Sequence, residues 1–232
     1  MHPNLERMAS KIFALLWMAG ALAAEPETAQ AVLARMNQES ASFHQITAKL
    51  TKTEFTQVLN DKTVESGEMW LKRNGHGIVM RSEFTSQPNV RSVGVDANQA
   101  EIYYPNMNTV QIYDLGKFGG LVDQFLVLGF GSSGKDIEKN YSVRLAGEDT
   151  IGGRKTSRLV LEPKSEKARK QIEKVELWIP VDAGHPVQQR FLQPGGDYYL
   201  VTYSDIQLNP GLPDNQFHLR LPADAKKEFP QK

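Results

Sequence analysis

From about Phe43 the hydrophobic pattern takes a period of two and keeps it almost to the C-terminus, with one interruption. Such alternation marks strands that turn one face to a core. The runs are 46–59, 66–73, 77–84, 91–96, 100–104 and 109–113, then 142–148, 157–163, 175–180, 187–193 and 198–208. Turn formers separate them: Asn60-Asp61, Asn74-Gly75, Asp96-Ala97-Asn98, Pro105-Asn106, Gly152-Gly153 and Pro194-Gly195-Gly196-Asp197. Short strands joined this way pair as antiparallel neighbours. About eleven strands are expected, and a sheet of that many must curl or pack on a second layer.

Two segments depart from the period of two. Residues 27–41 carry Ala29, Val32, Leu33 and Met36 at helical spacing, with Thr28 placed to cap them. The interruption, 115–141, holds a second stripe: Leu121, Val122, Phe125, Leu126 and Leu128. Gly116, Gly119 and Gly120 precede that stripe and Gly129, Gly131 and Gly134 follow it, so it can hinge. Residues 165–172 are too polar for a core and read as a short helix or loop, and the tail 223–232 is polar.

The N-terminus reads as an address. Arg7 and Lys11 precede the apolar run 12–24, which is too short to span a bilayer and ends in Ala21-Leu22-Ala23. Despite Glu6, this is the pattern of a cleaved secretory signal peptide, with cleavage expected after Ala23 or Ala24. The mature chain, 25–232, shows no composition break and reads as one domain.

Composition narrows the chemistry. The 232 residues include 27 basic and 27 acidic side chains, a balance that argues against nucleic acid as the partner. No cysteine is present, which excludes disulfides, thiolate metal sites, cysteine nucleophiles and a lipid-modified cysteine. His44, His76, His185 and His218 share no metal-ligand spacing. Gly129-x-Gly131-x-x-Gly134-Lys135 approaches a phosphate loop, but Asp136 stands where a hydroxyl should hold magnesium, and no parallel βαβ unit surrounds it. Glu65 and Glu68 resemble an acid and base pair with nothing to fix them in a cleft. The sequence shows no catalytic constellation, no metal site and no cofactor motif, so a binding protein is expected rather than an enzyme.

Alternation instead predicts an apolar concave wall: Met69 or Trp70, Ile78, Met80, Phe84, Val93, Val95, Ile102, Tyr104, Val110 and Ile112. A single short apolar helix would cover only part of it. Its residues Leu121, Val122, Phe125 and Leu126 are the expected lid.

Several segments, in order over 28–225, resemble the periplasmic outer-membrane lipoprotein carriers, the LolA-like family. They are Ser42-Phe43-His44 before a Thr-rich strand, the strand 67–73, Asp96-Ala97-Asn98 leading to 102–106, Leu161-Glu162-Pro163-Lys164, and Phe217 to Pro222. The resemblance implies a half-open antiparallel β-barrel closed by a helical lid, with acyl chains held in the concavity. It implies a periplasmic, monomeric carrier that moves lipoproteins from an inner-membrane ABC transporter to an outer-membrane receptor. Arg73 falls on the family's lid-latching arginine, although Asn74 replaces the usual proline after it. A lipid- or lipoprotein-sensing regulator of the same fold, a carrier of another lipid and a hydrolase on a barrel are the competing readings.

Overall fold

A computed structural model describes residues 27–74, 77–96, 99–116 and 128–231. The expected signal peptide and the four lid residues Leu121, Val122, Phe125 and Leu126 lie outside the described residues. Helix α1, Ala29–Ser42, opens the fold. The Thr28 hydroxyl accepts from the Ala31 amide at 3.1 Å, satisfying one of the free donors of the first turn.

Strands β1 (Gln45–Thr56), β2 (Asp61–Asn74), β3 (Gly77–Phe84), β4 (Arg91–Asp96), β5 (Gln99–Tyr104) and β6 (Thr109–Asp114) form a meander. Helix α2 (Gly134–Asn140) leads to β7 (Tyr141–Ile151) and β8 (Arg154–Pro163), and α3 is the short Glu166–Arg169. Strands β9 (Lys174–Pro180), β10 (Gln188–Leu192) and β11 (Tyr198–Leu208) complete a second meander. The last strand, β12, is Lys226–Glu228. β1 pairs with β11, joining the two meanders into one sheet ordered β12-β6-β5-β4-β3-β2-β1-β11-β10-β9-β8-β7. Among the described residues the fold is thus mainly β, a curved open sheet of twelve strands against the eleven expected, antiparallel except at its β12 edge.

The additional strand is β12, which runs parallel to β6. It comes from the tail that polarity alone marks as irregular. Asn108 recruits it: its backbone sits in the left-handed region at φ 45°, its carbonyl accepts from the Lys226 amide at 2.9 Å, and its side-chain amide donates to the Asp224 carboxylate at 3.0 Å. The segment 129–136 shows why its glycines and Asp136 are no phosphate loop. Ser133 caps α2, and Asp136 completes a capping box, with its carboxylate turned back to the Ser133 amide at 3.4 Å.

The concave face has two differently filled halves. Over β7–β9, α1 lays Val32, Leu33 and Met36 onto Leu159, Leu161, Val175, Leu177 and Ile179, with Ile137, Tyr141 and Leu128 closing the cluster. The helix covering this half is therefore α1, a role that the sequence pattern leaves unassigned. A second cluster, Phe43, Ile46, Ala48, Leu50, Met69, Leu71, Ile78 and Phe130, lines β1–β3.

Candidate functional site

Directly opposed residues of antiparallel strands share a face, so the register sorts the expected wall. Leu71 faces Met80, Met80 faces Val95, Met69 faces Ser82, Ser82 faces Val93 and Val93 faces Ile102. Ile78, Met80, Phe84, Val93, Val95, Ile102 and Tyr104 consequently share the concave face with Met69 and Leu71. Ile78 and Val95 are buried, whereas Met80, Phe84, Val93, Ile102 and Tyr104 are half-buried. This is an apolar surface that the chain's own side chains only partly cover.

Trp70, Val110 and Ile112 are on the other face, which corrects their expected placement. Trp70 opposes Arg81, Val110 opposes Tyr103 and Ile112 opposes Glu101. The turn Pro105–Met107, closed by Asn108, pairs Tyr104 with Thr109, which puts Gln111 beside the inward Ile102 and sends Val110 and Ile112 to the opposite face. The outer surface has its own cover, which is why it also tolerates apolar residues. Phe217 is fully buried, and Leu219 lies against Gly94. Trp70 carries the Arg81 guanidinium 4.0 Å above its ring.

At one end of the trough, residues 128–131 form a buried turn. Gly129 and Gly131 sit at φ +86° and +87°, a region closed to most side chains. A Cβ on Gly131 would lie 2.5 Å from Phe43 and 2.8 Å from Arg73. Between the two glycines, Phe130 enters the second cluster and meets Tyr203 edge-on at 4.9 Å. The Tyr203 hydroxyl donates to the Gln189 side-chain carbonyl at 2.8 Å, and Gln189 donates to the Leu128 carbonyl. Burial pushes the Tyr203 hydroxyl well above its usual pKa, so it stays a donor. On the far side of Phe130, the Arg73 guanidinium donates to the Gly131 carbonyl and lies 5.8 Å from the Phe43 ring. His185 flanks Phe130 at 6.4 Å between ring centres, and its Nδ1 is 2.7 Å from Glu39. Burial alone would raise the Glu39 carboxyl. The His185 hydrogen bond and charge, with the Gly184 amide, outweigh burial and hold it below the ordinary value.

The other end carries charge across the concave face. Glu65 is 6% exposed and takes both Arg91 nitrogens, at 2.6 and 2.8 Å, with Lys52 3.7 Å away. Arg91 also stacks 4.3 Å over Phe84, and Lys52 lies 4.9 Å over Tyr199. The Arg91 hydrogen bonds hold the Glu65 carboxyl below the ordinary range. Glu68, three residues along the strand, points to the opposite face beside Lys49. The two carboxylates therefore do not meet as an acid and base pair. No group of three metal-ligating side chains occurs among the described residues, and no helix among them is long and apolar enough to cross a membrane.

Phe130, Gln189 and Tyr203 are not legible in the sequence, since nothing local distinguishes a Gln or Tyr that reaches a distant carbonyl. Lys52 and Glu65 do carry a signal: they occupy inward positions of alternating strands, where an apolar residue is the rule.

No family model matches this chain, and no curated protein matches it. Solved structures do. An uncharacterized conserved protein from Thermus thermophilus superposes with a TM-score of 0.55 at 15% identity, over 87% of this chain and 98% of that one. MucB superposes with a TM-score of 0.51 at 15% identity, over 83% of this chain, which spans 62% of MucB's length. A LolA superfamily protein from Nitrosomonas europaea also matches, with a TM-score of 0.39 at 13% identity, over 84% of this chain and 99% of that one. At such identities the common property is the fold, which this chain shares with the Thermus thermophilus protein and with MucB.

Proposed function

We propose that this protein is a lipid-binding carrier of the bacterial envelope, exported to the periplasm, that holds the acyl chains of lipoproteins in its concave trough. The observation that carries this reading is the row Met80, Phe84, Val93, Ile102 and Tyr104, apolar and only half-buried on the inner face of a curved sheet. An acyl chain leaving a bilayer loses about 0.8 kcal/mol per CH₂, on the order of 10 kcal/mol per chain, and needs comparable apolar area to receive it. Such area must be hidden when empty. The proposed cover is the segment carrying Leu121, Val122, Phe125 and Leu126, with Arg73 as the latch on its exit at Gly131. Exchange of lid for lipid replaces one apolar contact by another, so retention is balanced against release. In this reading the protein is not an enzyme and needs no cofactor. An inner-membrane ABC transporter and an outer-membrane receptor are the partners that the family resemblance supplies.

Mass spectrometry of lipid extracted from natively purified protein tests the proposal. Acylated peptides or phospholipid in stoichiometric amount support it, and protein free of acyl lipid would overturn it. Lipoproteins retained from a periplasmic extract separate carriage of lipoproteins from the sensing of another lipid.

A further inference from the structure

The β1–β2 hairpin ends in an apolar tip. Val58 is 91% exposed and Leu59 73%, and they are adjacent. They hold the two central positions of a turn closed by the Asn60 amide on the Gln57 carbonyl at 3.2 Å, with Asn60 at φ 49°. Central turn positions favour Gly, Asn, Asp and Pro, so two aliphatic residues there break a local rule without a packing gain.

The tip is presented firmly. Residues 61–65 of β2 pair with β1 alone, because β3 ends opposite Gly67, so on that side the hairpin stands roughly 15 Å clear of the sheet. On the other side the Gln57 amide donates to the Asp197 carboxylate at 2.7 Å. Val64, 52% exposed, stands farther down the hairpin, beyond the polar residues 60–63. The tip belongs to the same end of the trough as Lys52, Glu65 and Arg91, opposite to the end held by Phe130.

We infer that Val58 and Leu59 insert into the surface layer of a phospholipid bilayer and orient this end of the trough toward it. A protein partner would require about 800 Å² on each side, far more than three aliphatic side chains supply, whereas shallow insertion of a few such groups gives a weak, transient membrane contact, below that of a single acyl anchor, which is enough to orient the hairpin without holding the protein there. The flanking Gln57, Asn60, Asp61 and Lys62 carry no net charge, so contact does not depend on anionic lipid. The inference concerns the hairpin alone and goes beyond the trough's cargo; the two readings fail separately, since extracted lipid reports only on the trough.

The test uses the absence of cysteine. Leu59→Cys in the full chain, labelled with an environment-sensitive fluorophore, is mixed with phosphatidylcholine vesicles, with exposed Lys170→Cys as the control site. The expected result is a severalfold emission rise and blue shift at position 59 only, quenched by spin-labelled acyl chains and unchanged by added salt. Val58→Asp in the labelled chain should weaken vesicle partition by about tenfold or more with unchanged circular dichroism. No shift at position 59, or an equal shift at 170, overturns the inference. So does a shift without vesicles that grows with protein concentration, which would assign the tip to a second copy of the chain.

Discussion

The guanidinium of Arg73, near the end of β2, hydrogen-bonds the carbonyl oxygen of Gly131 across 58 residues of sequence. Arg73→Met removes the donors while keeping much of the stem. A hydrogen bond from a charged donor contributes about 2 kcal/mol, so amide exchange over 128–131 should accelerate roughly tenfold or more, with β7–β9 unchanged. Hydrogen–deuterium exchange read by mass spectrometry checks this, and equal protection in both proteins would show that the contact holds nothing down.

Gly131 should be far less replaceable than Gly152. Both have positive φ, at +87° and +55°, but a Cβ at 152 meets nothing within 4 Å. Gly152→Ala is expected to cost about 1 kcal/mol from the backbone alone. Gly131→Ala adds a collision with Phe43 and Arg73 and should cost about 3 kcal/mol or more. Urea unfolding of the two variants measures the difference.

Ile102→Ser separates cargo from stability. Ile102 is half-buried, so truncation to a polar group should cost only about 1 kcal/mol, whereas Phe130→Ala in the filled cluster should cost about 3 to 5 kcal/mol. Under the proposed function, Ile102→Ser loses co-purifying lipid at nearly unchanged thermal midpoint. A variant that keeps its full complement of lipid would count against the trough as the site.

Glu65 predicts a pH dependence. Its folded pKa lies below the ordinary 4.5, so its contribution is complete above that value and disappears as pH falls through the lower folded value. Glu65→Gln leaves Arg91 and Lys52 without their carboxylate and should lose about 2 kcal/mol near neutrality. The gap between wild type and variant should be flat above about pH 6 and close in acid. Denaturation curves collected across pH read this directly, and a gap that widens in acid would contradict the assignment.

The strands β1 to β11, their meander order and helix α1 are legible because alternation, turn residues and the Thr28 cap are local signals, whereas β12 is hidden in a polar tail. Faces are legible only where one side of a strand is consistently polar. In β6, Val110 and Ile112 alternate with Gln111 and Tyr113, and the rule sends the aliphatic pair inward. The opposite holds because the pairing of Tyr104 with Thr109 places Gln111 beside the inward Ile102, and the segment 217–219 lies on the outer face at Gly94, both facts of tertiary structure. Met69 and Trp70 form an undecided pair in the sequence for the same reason. Arg73 is reached through the family resemblance, whereas its acceptor at Gly131 needs the fold. In the sequence the glycines at 129 and 131 signify freedom to hinge; in the structure their backbone angles let a buried turn fit against Phe43 and Pro186.

Phe130 and Leu128 belong to different clusters, yet only Gly129 stands between them. A displacement of this short turn would therefore disturb both hydrophobic nuclei at once, and neither meander could loosen without its counterpart sensing the change. Strain at the trough would in this way reach the N-terminal helix, whose Glu39 holds the His185 ring that flanks Phe130.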